Sequence, residues 1–437
     1  MPISAASLPV DRRIPLAVLL DADLMAARLG VAGCRLAHVR YRAGESCVVL
    51  YEADVDTGDG AATTLLHAVC EPAARHGGAA SAPDATGGLL LHGPRVLDDL
   101  GVVVREFPDD PRLPALTVTR DRDALAAALS SVLSDGAARL EFTGVGRNLR
   151  LIRYKPGARL IMRCRTRWLD RHTGERLAYR CLLRFDRAAV DPRREALQRR
   201  LEDGAAASFV VPRVLFRAPG LGCTGTAWVE GESLSRALRD DARRDDALTA
   251  SATVLADLHA LDTGGLPAVS LGDHLLSMTA RRQRLGGYPP ALRERLDHLH
   301  DQLQRLAAAT VPGPIGLVHG DFHQGQLLLT DQAPCLLDLD RAHRGETLAD
   351  VGAFVAQLEV LGLRGRLAGA TEMGAGFVAA WERAAGAVAD SRRLRLWVGV
   401  ALLAATVKEL RRLRPDWRGR ADALAARALD IVAGGQR

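Results

Sequence analysis

Leu317-Val318-His319-Gly320-Asp321-Phe322-His323-Gln324-Gly325-Gln326-Leu327-Leu328-Leu329 carries the densest polar constellation of the chain, and Cys335-Leu336-Leu337-Asp338-Leu339-Asp340-Arg341 follows it after a short polar turn. In both stretches the polar cluster sits at the edge of an apolar strand-like run. A hairpin-like arrangement of these strands would bring Asp321, Gln326, Asp338 and Asp340 together at one end. Carboxylates that converge with an amide oxygen make a hard-oxygen site suited to Mg²⁺. That ion takes one or two protein carboxylates and completes its shell with phosphate and water.

Around this core the text is helical, with 3.6-residue periodicity over 245–261, 290–309, 349–361, 370–385, 391–413 and 419–432. Only two short strands interrupt it, at 315–318 and 335–339. Upstream the text is β-rich, and two segments look alike. One begins at Arg35 and passes through Arg40-Tyr41-Arg42-Ala43-Gly44; the other begins at Arg150 and passes through Arg153-Tyr154-Lys155-Pro156-Gly157. Each reads as a strand ending in Arg-Tyr, a tight turn with Gly44 or Gly157, a second strand, a polar turn and a third strand. Residues Leu177, Tyr179, Cys181 and Leu183 alternate with polar neighbours, as a strand with one buried face does. A helix over 191–202 and strands over 210–216 and 223–229 complete a five-stranded lobe. The polar stretch Ser134 to Ala137 and the pair Glu230-Gly231 set the boundaries: a cap over 1–136, a five-stranded α/β lobe over 137–231 and a helical lobe over 232–437.

Composition narrows the function. The chain has 437 residues, 48% hydrophobic and 25% charged, which is globular and long enough for two or three domains. All but two of the 58 basic residues, Lys155 and Lys408, are Arg, and the formal charge of +6 is spread along the chain. Aromatics at 4% are too few for a base-stacking surface, so nucleic acid is not an expected partner. Apolar runs such as Trp397 to Thr406 are too short to span a bilayer. The stretch Met1 to Arg13 has its Arg pair after the mild segment, the wrong order for a secretory signal. Cys34, Cys47, Cys70, Cys164, Cys181, Cys223 and Cys335 form no CxxC pair, which predicts reduced thiols in the cytoplasm and no zinc ribbon.

His319-Gly320-Asp321, a polar side chain five residues after the Asp, and Asp338 on the next strand together resemble the aminoglycoside phosphotransferase and choline kinase group of small-molecule kinases. Leu255-Ala256-Asp257-Leu258-His259-Ala260-Leu261 resembles the helix before their catalytic loop. Gly345-Glu346-Thr347-Leu348-Ala349-Asp350-Val351-Gly352 resembles the segment after their metal Asp, and Tyr154-Lys155-Pro156-Gly157 their first nucleotide-lobe hairpin. The resemblance implies an α+β, bilobal, protein-kinase-like fold with an N-terminal α/β cap, and ATP and Mg²⁺ as cofactors.

It also implies roles. Asp321 would accept the hydrogen bond of the substrate hydroxyl and align it with the γ-phosphate. Asp338 would bind Mg²⁺ with Gln326, which stands where the family usually has Asn; Asp340 is a second ligand or a surface charge. His319 would buttress the loop, and Asp350 would tie it to the following helix. Lys155 and Gly157 would lie over the phosphates. The third strand lacks the family's Lys, so Arg180 or Arg184 would replace it, with Glu195 (or Glu202) as ion-pair partner. Trp228, Val229 and Glu230 would form the nucleotide hinge, with Trp228 as core or pocket wall rather than a specific base reader.

His-Gly-Asp-x-His-x-Gly-Gln with a long leader is similar to the maltokinase-type branch. The expected acceptor is a sugar or amino sugar, glucosamine- or maltose-like, on an enzyme that is a monomer or small homo-oligomer. Three alternatives remain: an aminoglycoside antibiotic kinase, a nucleotide-binding relative without turnover, and a metallohydrolase with His319, Asp321 and His323 as ligands.

Overall fold

The structure, a computed structural model, describes residues 8–56, 61–71, 93–133, 139–282 and 287–434. The expected boundary over 134–137 lies outside the described residues. The chain divides into two compact units. One contains Met1–Ala189, Arg213–Trp228 and Arg411–Pro415; the other contains Val190–Pro212, Val229–Leu410 and Asp416–Arg437.

In the first unit, α1 (Leu16–Leu19) and α2 (Ala22–Leu29) precede β1 (Gly33–Arg42), β2 (Ser46–Asp56), β3 (Ala61–Cys70), β4 (Arg95–Leu97) and β5 (Val102–Glu106). These strands form an antiparallel sheet ordered β1-β2-β3-β5-β4. After α3 (Arg122–Leu133) come β6 (Leu140–Val145), β7 (Arg150–Lys155), β8 (Arg159–Asp170) and β9 (Arg176–Asp186); β10 (Val214–Ala218) and β11 (Cys223–Ala227) follow α4 (Pro192–Glu202). The second sheet is ordered β6-β8-β9-β11-β10, with β7 also on β8. Counting β6 and β7 as one interrupted strand, both sheets have the same order, 1-2-3-5-4. In each, the last hairpin turns through a left-handed glycine, Gly101 (φ 61°) or Gly222 (φ 57°). A Cβ at Gly222 would come within 2.7 Å of the Asp186 carbonyl oxygen, so only glycine fits.

Strand alternation builds the core. Cys181, Leu183 and Phe185 of β9 and Leu160, Met162, Cys164 and Trp168 of β8 point to one buried face. Leu113, Leu116, Leu125 and Leu129, from the segment before β6, pack into this same core with Phe142 and Phe216. The lobe has six strands where five are expected, because Leu140–Val145 pairs with β8 through a register shift at Phe142/Gly144. The strand expected over 210–216 begins only at Val214. Pro212 has no N–H for a ladder, and Val210 bridges to Cys335 instead.

The second unit is helical around two small sheets. Its elements are α4, β12 (Glu232–Ser233), α5 (Leu234–Ala237), α6 (Arg244–Ala260), α7 (Leu271–Arg282), α8 (Pro290–Ala308), β13 (Ile315–Val318), β14 (Leu327–Leu329), β15 (Cys335–Leu336), β16 (His343–Glu346), α9 (Leu348–Leu363), α10 (Ala370–Ala385), α11 (Ser391–Arg412) and α12 (Trp417–Ala433). The helix α7 goes unread in the sequence. A local cap starts it: Ser270 N and Oγ donate to Asp273 Oδ2 at 2.8 and 2.6 Å, and Asp273 N donates back to Ser270 Oγ. The strands of the polar stretch do not pair as one hairpin. Strand β13 pairs with β16, and β14 pairs with β15 and β12. Among the described residues no helix is long and apolar enough to cross a membrane.

Candidate active site

The chain leaves β13 at Val318 and turns at Gly320, whose φ is +78°. A Cβ there would lie 2.5 Å from the Arg341 carbonyl oxygen, so the middle residue of His-Gly-Asp must be glycine. The turn is held from beneath by Asp350, in the first turn of α9 and fully buried. Its Oδ2 accepts the His319 N–H at 2.6 Å and its Oδ1 the Gly320 N–H at 2.9 Å. His259 Nε2 stands 3.4 Å from the same carboxylate, and His259 Nδ1 accepts the Trp381 indole N–H at 3.2 Å. Burial by itself would raise the Asp350 pKa. Hydrogen bonds from His259 and the His319 amide outweigh it and hold the carboxyl below its usual range.

His319 joins two loops. Its Nε2–H donates to the Leu337 carbonyl at 2.9 Å, and its Nδ1 accepts the Asp321 amide at 3.3 Å. One buried imidazole thus fixes the backbone of Asp321 and of the residue before Asp338. Phe322 packs on His319 on one side and on Phe354 of α9 on the other, with ring centroids 5.8 and 5.4 Å apart. The loop returns through Gln326, whose N–H donates to His323 O and whose carbonyl accepts the Leu337 N–H, each at 2.8 Å. The buried Gln326 therefore lies opposite Leu337, one residue before the exposed Asp338.

Asp338 has left-handed backbone (φ 56°, ψ 68°), a conformation that Asp tolerates better than most residues and that concentrates at functional sites. Asp340 follows in a short 3₁₀ turn, half-buried. Asp338, Asp340 and Gln326 offer oxygen donors with no thiol or imidazole among them, the donor chemistry that suits Mg²⁺. Among the described residues no three His, Cys, Asp or Glu side chains group to hold a metal. The His319-Asp321-His323 ligand set of a metallohydrolase is not formed, since both His319 nitrogens are engaged in the protein and His323 Nδ1 accepts the Gly325 amide at 2.9 Å. Burial lowers the His323 pKa, Asp321 opposes that and Lys408 adds to it.

Two residues that sequence reasoning missed also belong here. Gln324 Oε1, within the same loop, is buried without a hydrogen-bond partner, an acceptor that water or a substrate hydroxyl would satisfy. Arg194 Nε of α4 donates to the Ala342 carbonyl at 3.2 Å, tying that helix to the turn after Asp340. Its neighbour Glu195 pairs with Arg199 at 2.6 Å.

In the sheet unit, Lys155 ends β7 and Gly157 turns the hairpin with φ +66°. Arg184 lies on β9 between Ile161 and Thr224. Its Nε is 2.6 Å from Asp186 Oδ2, and the other oxygen of that carboxylate takes Arg159 Nε. Asp186 is thus a partner of Arg184 that the Glu195 expectation overlooked. Two residues further on the same strand face, it is legible from the period of two. Arg180 is exposed, and its carbonyl accepts the Trp228 N–H at 2.8 Å. The Arg163 guanidinium sits over the Trp228 ring, 5.1 Å from its centroid. Val229 and Glu230 fall in the helical unit.

Residues 165–397 match the family model described as the phosphotransferase enzyme family. The chain belongs to this family: it is an ATP-dependent small-molecule phosphotransferase that acts on a hydroxyl group, with the α+β, protein-kinase-like fold. Several solved structures are similar. A choline/ethanolamine kinase family protein from Mesorhizobium loti is 18% identical, with a TM-score of 0.46, over 70% of this chain and 92% of its own. A thermostable mutant of an aminoglycoside phosphotransferase, in ternary complex with AMP-PNP and hygromycin B, is 17% identical with a TM-score of 0.48, over 71% and 98%. Choline kinase from Cryptosporidium parvum Iowa II is 10% identical with a TM-score of 0.49, over 71% and 95%. No curated protein matches the sequence.

Proposed function

We propose that this phosphotransferase uses Mg·ATP to phosphorylate a hydroxyl of a sugar or amino sugar. The observation that carries the reading is the buried His319, whose two nitrogens bond the Asp321 amide and the Leu337 carbonyl and so hold the backbone beside both carboxylates. Phosphoryl transfer asks mainly for positioning and charge neutralisation. Asp321 accepts the substrate hydroxyl's proton in a hydrogen bond and aims its oxygen. Asp338 and Gln326, with Asp340 as a further donor, would hold Mg²⁺, which when bound neutralises phosphate charge. Lys155, Arg184 and Arg180 supply cationic contacts to the nucleotide, and Trp228, Val229 and Glu230 its base-binding segment. Asp186 pairs with Arg184.

Free, buried cysteines support a reducing, cytoplasmic setting. Burial, with the nearby Asp54, pushes Cys34 up to about 11, so that thiol is inert near neutrality.

ADP release measured across monosaccharides, disaccharides, amino sugars and aminoglycosides tests the acceptor. Turnover confined to the aminoglycosides would make this an antibiotic kinase. The absent strand Lys favours a relative without turnover; no ADP release with any acceptor, alongside intact Mg·AMP-PNP binding, would establish that reading.

A further inference from the structure

The two sheets carry the same small device. In the second, Asp110 is buried, and its Oδ2 accepts the Gly157 N–H at 2.6 Å and the Tyr154 hydroxyl at 2.8 Å. Its Oδ1 accepts the Arg112 N–H at 3.0 Å. In the first, Asp11 Oδ2 accepts the Gly44 N–H and the Tyr41 hydroxyl, both at 2.8 Å, and Oδ1 the Arg13 N–H at 2.9 Å. Both glycines have φ +66°. The flanking residues match as well: Pro9-Val10-Asp11-Arg12-Arg13-Ile14-Pro15 aligns with Pro108-Asp109-Asp110-Pro111-Arg112-Leu113-Pro114.

The copies differ in what surrounds the turn. At Gly157 the Arg112 side chain closes over the α-carbon, so that an added Cβ would meet Arg112 Cδ at 3.0 Å; at Gly44 nothing lies within 4 Å. Arg112 is itself held by Glu71 at 2.6 Å, and Arg40 Nη2 reaches the Pro156 carbonyl at 3.4 Å. The tip holding Lys155 is therefore braced from three directions. It also sits among like charges: burial, then Arg412, Arg40, Lys155 and Arg153, hold the His38 pKa down to about 4.

We propose that Asp110 is a positioning residue for the nucleotide: it fixes the Lys155-Pro156-Gly157 turn in advance, so that the Lys155 ammonium meets phosphate oxygens without first ordering the loop. This role rests on the reading that Lys155 contacts the nucleotide. The Gly157 N–H is already donated to Asp110, so this glycine supplies the turn and not an amide for phosphate. A pre-ordered loop saves the entropy of ordering it on binding. The equivalent Asp11 holds a turn that presents Arg42 and Ala43, and it serves as the internal control.

The test uses the full chain, with Mg·AMP-PNP affinity read by calorimetry and folding by thermal melting. Asp110→Ala should weaken Mg·AMP-PNP about tenfold, Asp110→Asn less because one acceptor oxygen remains, and Asp11→Ala by less than about twofold. ATP KM should rise with the Kd while acceptor KM holds. If Asp110→Ala fails to fold, Asp110→Asn and Tyr154→Phe decide. Folded variants with wild-type affinity overturn the role, as does equal weakening by Asp11→Ala. Tighter binding by Asp110→Asn would also overturn it, since the carboxylate would then act only as a repelling charge. Lys155→Ala separates the two levels. If it leaves affinity unchanged, the nucleotide reading of the hairpin fails and the Asp110 role with it. If it weakens affinity while the Asp110 variants do not, only the Asp110 role fails.

Discussion

The loop 317–326 of the helical unit and the hairpin 150–159 of the sheet unit hold their polar groups by opposite means. In the loop the support is buried and local. Asp350, His319 and Phe322 are 1% exposed or less, and they fix the backbone on either side of Asp321. In the hairpin the cations stand at the surface and the support is remote in sequence, from Asp110, Arg112 and Arg40. A buried network admits one arrangement, because each unmet hydrogen bond in it costs about 1–3 kcal/mol. On the function proposed above, this difference would separate the chemical step, placed in the loop, from nucleotide affinity, placed in the hairpin.

The sharpest way to break that separation is Asp338→Ala, which should reduce turnover to background at every Mg²⁺ concentration in a steady-state assay of ADP release. Normal turnover would remove Asp338 from the metal site. Next, Asp321→Asn should lower kcat by about a hundredfold or more with ATP KM little changed. A change in ATP KM alone would show that the loop and the hairpin do not divide the work. On the hairpin side, Arg184→Ala should raise ATP KM about tenfold, and Arg180→Ala about threefold or less, since Arg184 is oriented by Asp186. The reverse ranking would move the phosphate contact two residues along β9.

The smallest effect at working pH is that of Asp350. Its folded pKa lies below the ordinary carboxylate value. Its contribution is therefore fully present above about pH 4 and lost as pH falls through the lowered value. Exchange protection of the His319 and Gly320 amides, followed by hydrogen exchange, should stay level down to about pH 4 and fall below it. Loss of protection near neutrality would contradict the sign of the shift.

Much of this site is legible in the sequence because its residues are close together in it. His319, Gly320 and Asp321 are consecutive, and Asp338 and Asp350 follow within a few short elements. The strand pairing is not legible: Leu317 and Val318 carry the same apolar pattern whichever partner they take, and only the structure pairs them with Arg344 and His343. The helix α7 hides because Gly272 and Asp273 read as a turn until Ser270 is seen to cap them. Arg194 reaches Ala342 across 148 positions, and no local period announces such a bond. The Asp110 clamp is an intermediate case. Its partners lie 44 and 47 residues away, yet the matching Pro-x-Asp-x-Arg stretches before each sheet were there to be compared.

The repeated 1-2-3-5-4 strand order also says where the chain can be cut. Each copy opens at its own Pro-x-Asp-x-Arg stretch, one at Pro9 and the other at Pro108, so the second module starts well before its first strand. A shortened chain beginning at residue 137 would leave behind Asp110 together with Leu113, Leu116, Leu125 and Leu129, which fill the core of the second sheet. Losing one such leucine costs about 2–5 kcal/mol, so that fragment would aggregate for reasons unrelated to the first module. A fragment beginning at Phe107 keeps all five residues, and it is the cut at which the contribution of the leading module can be measured by itself.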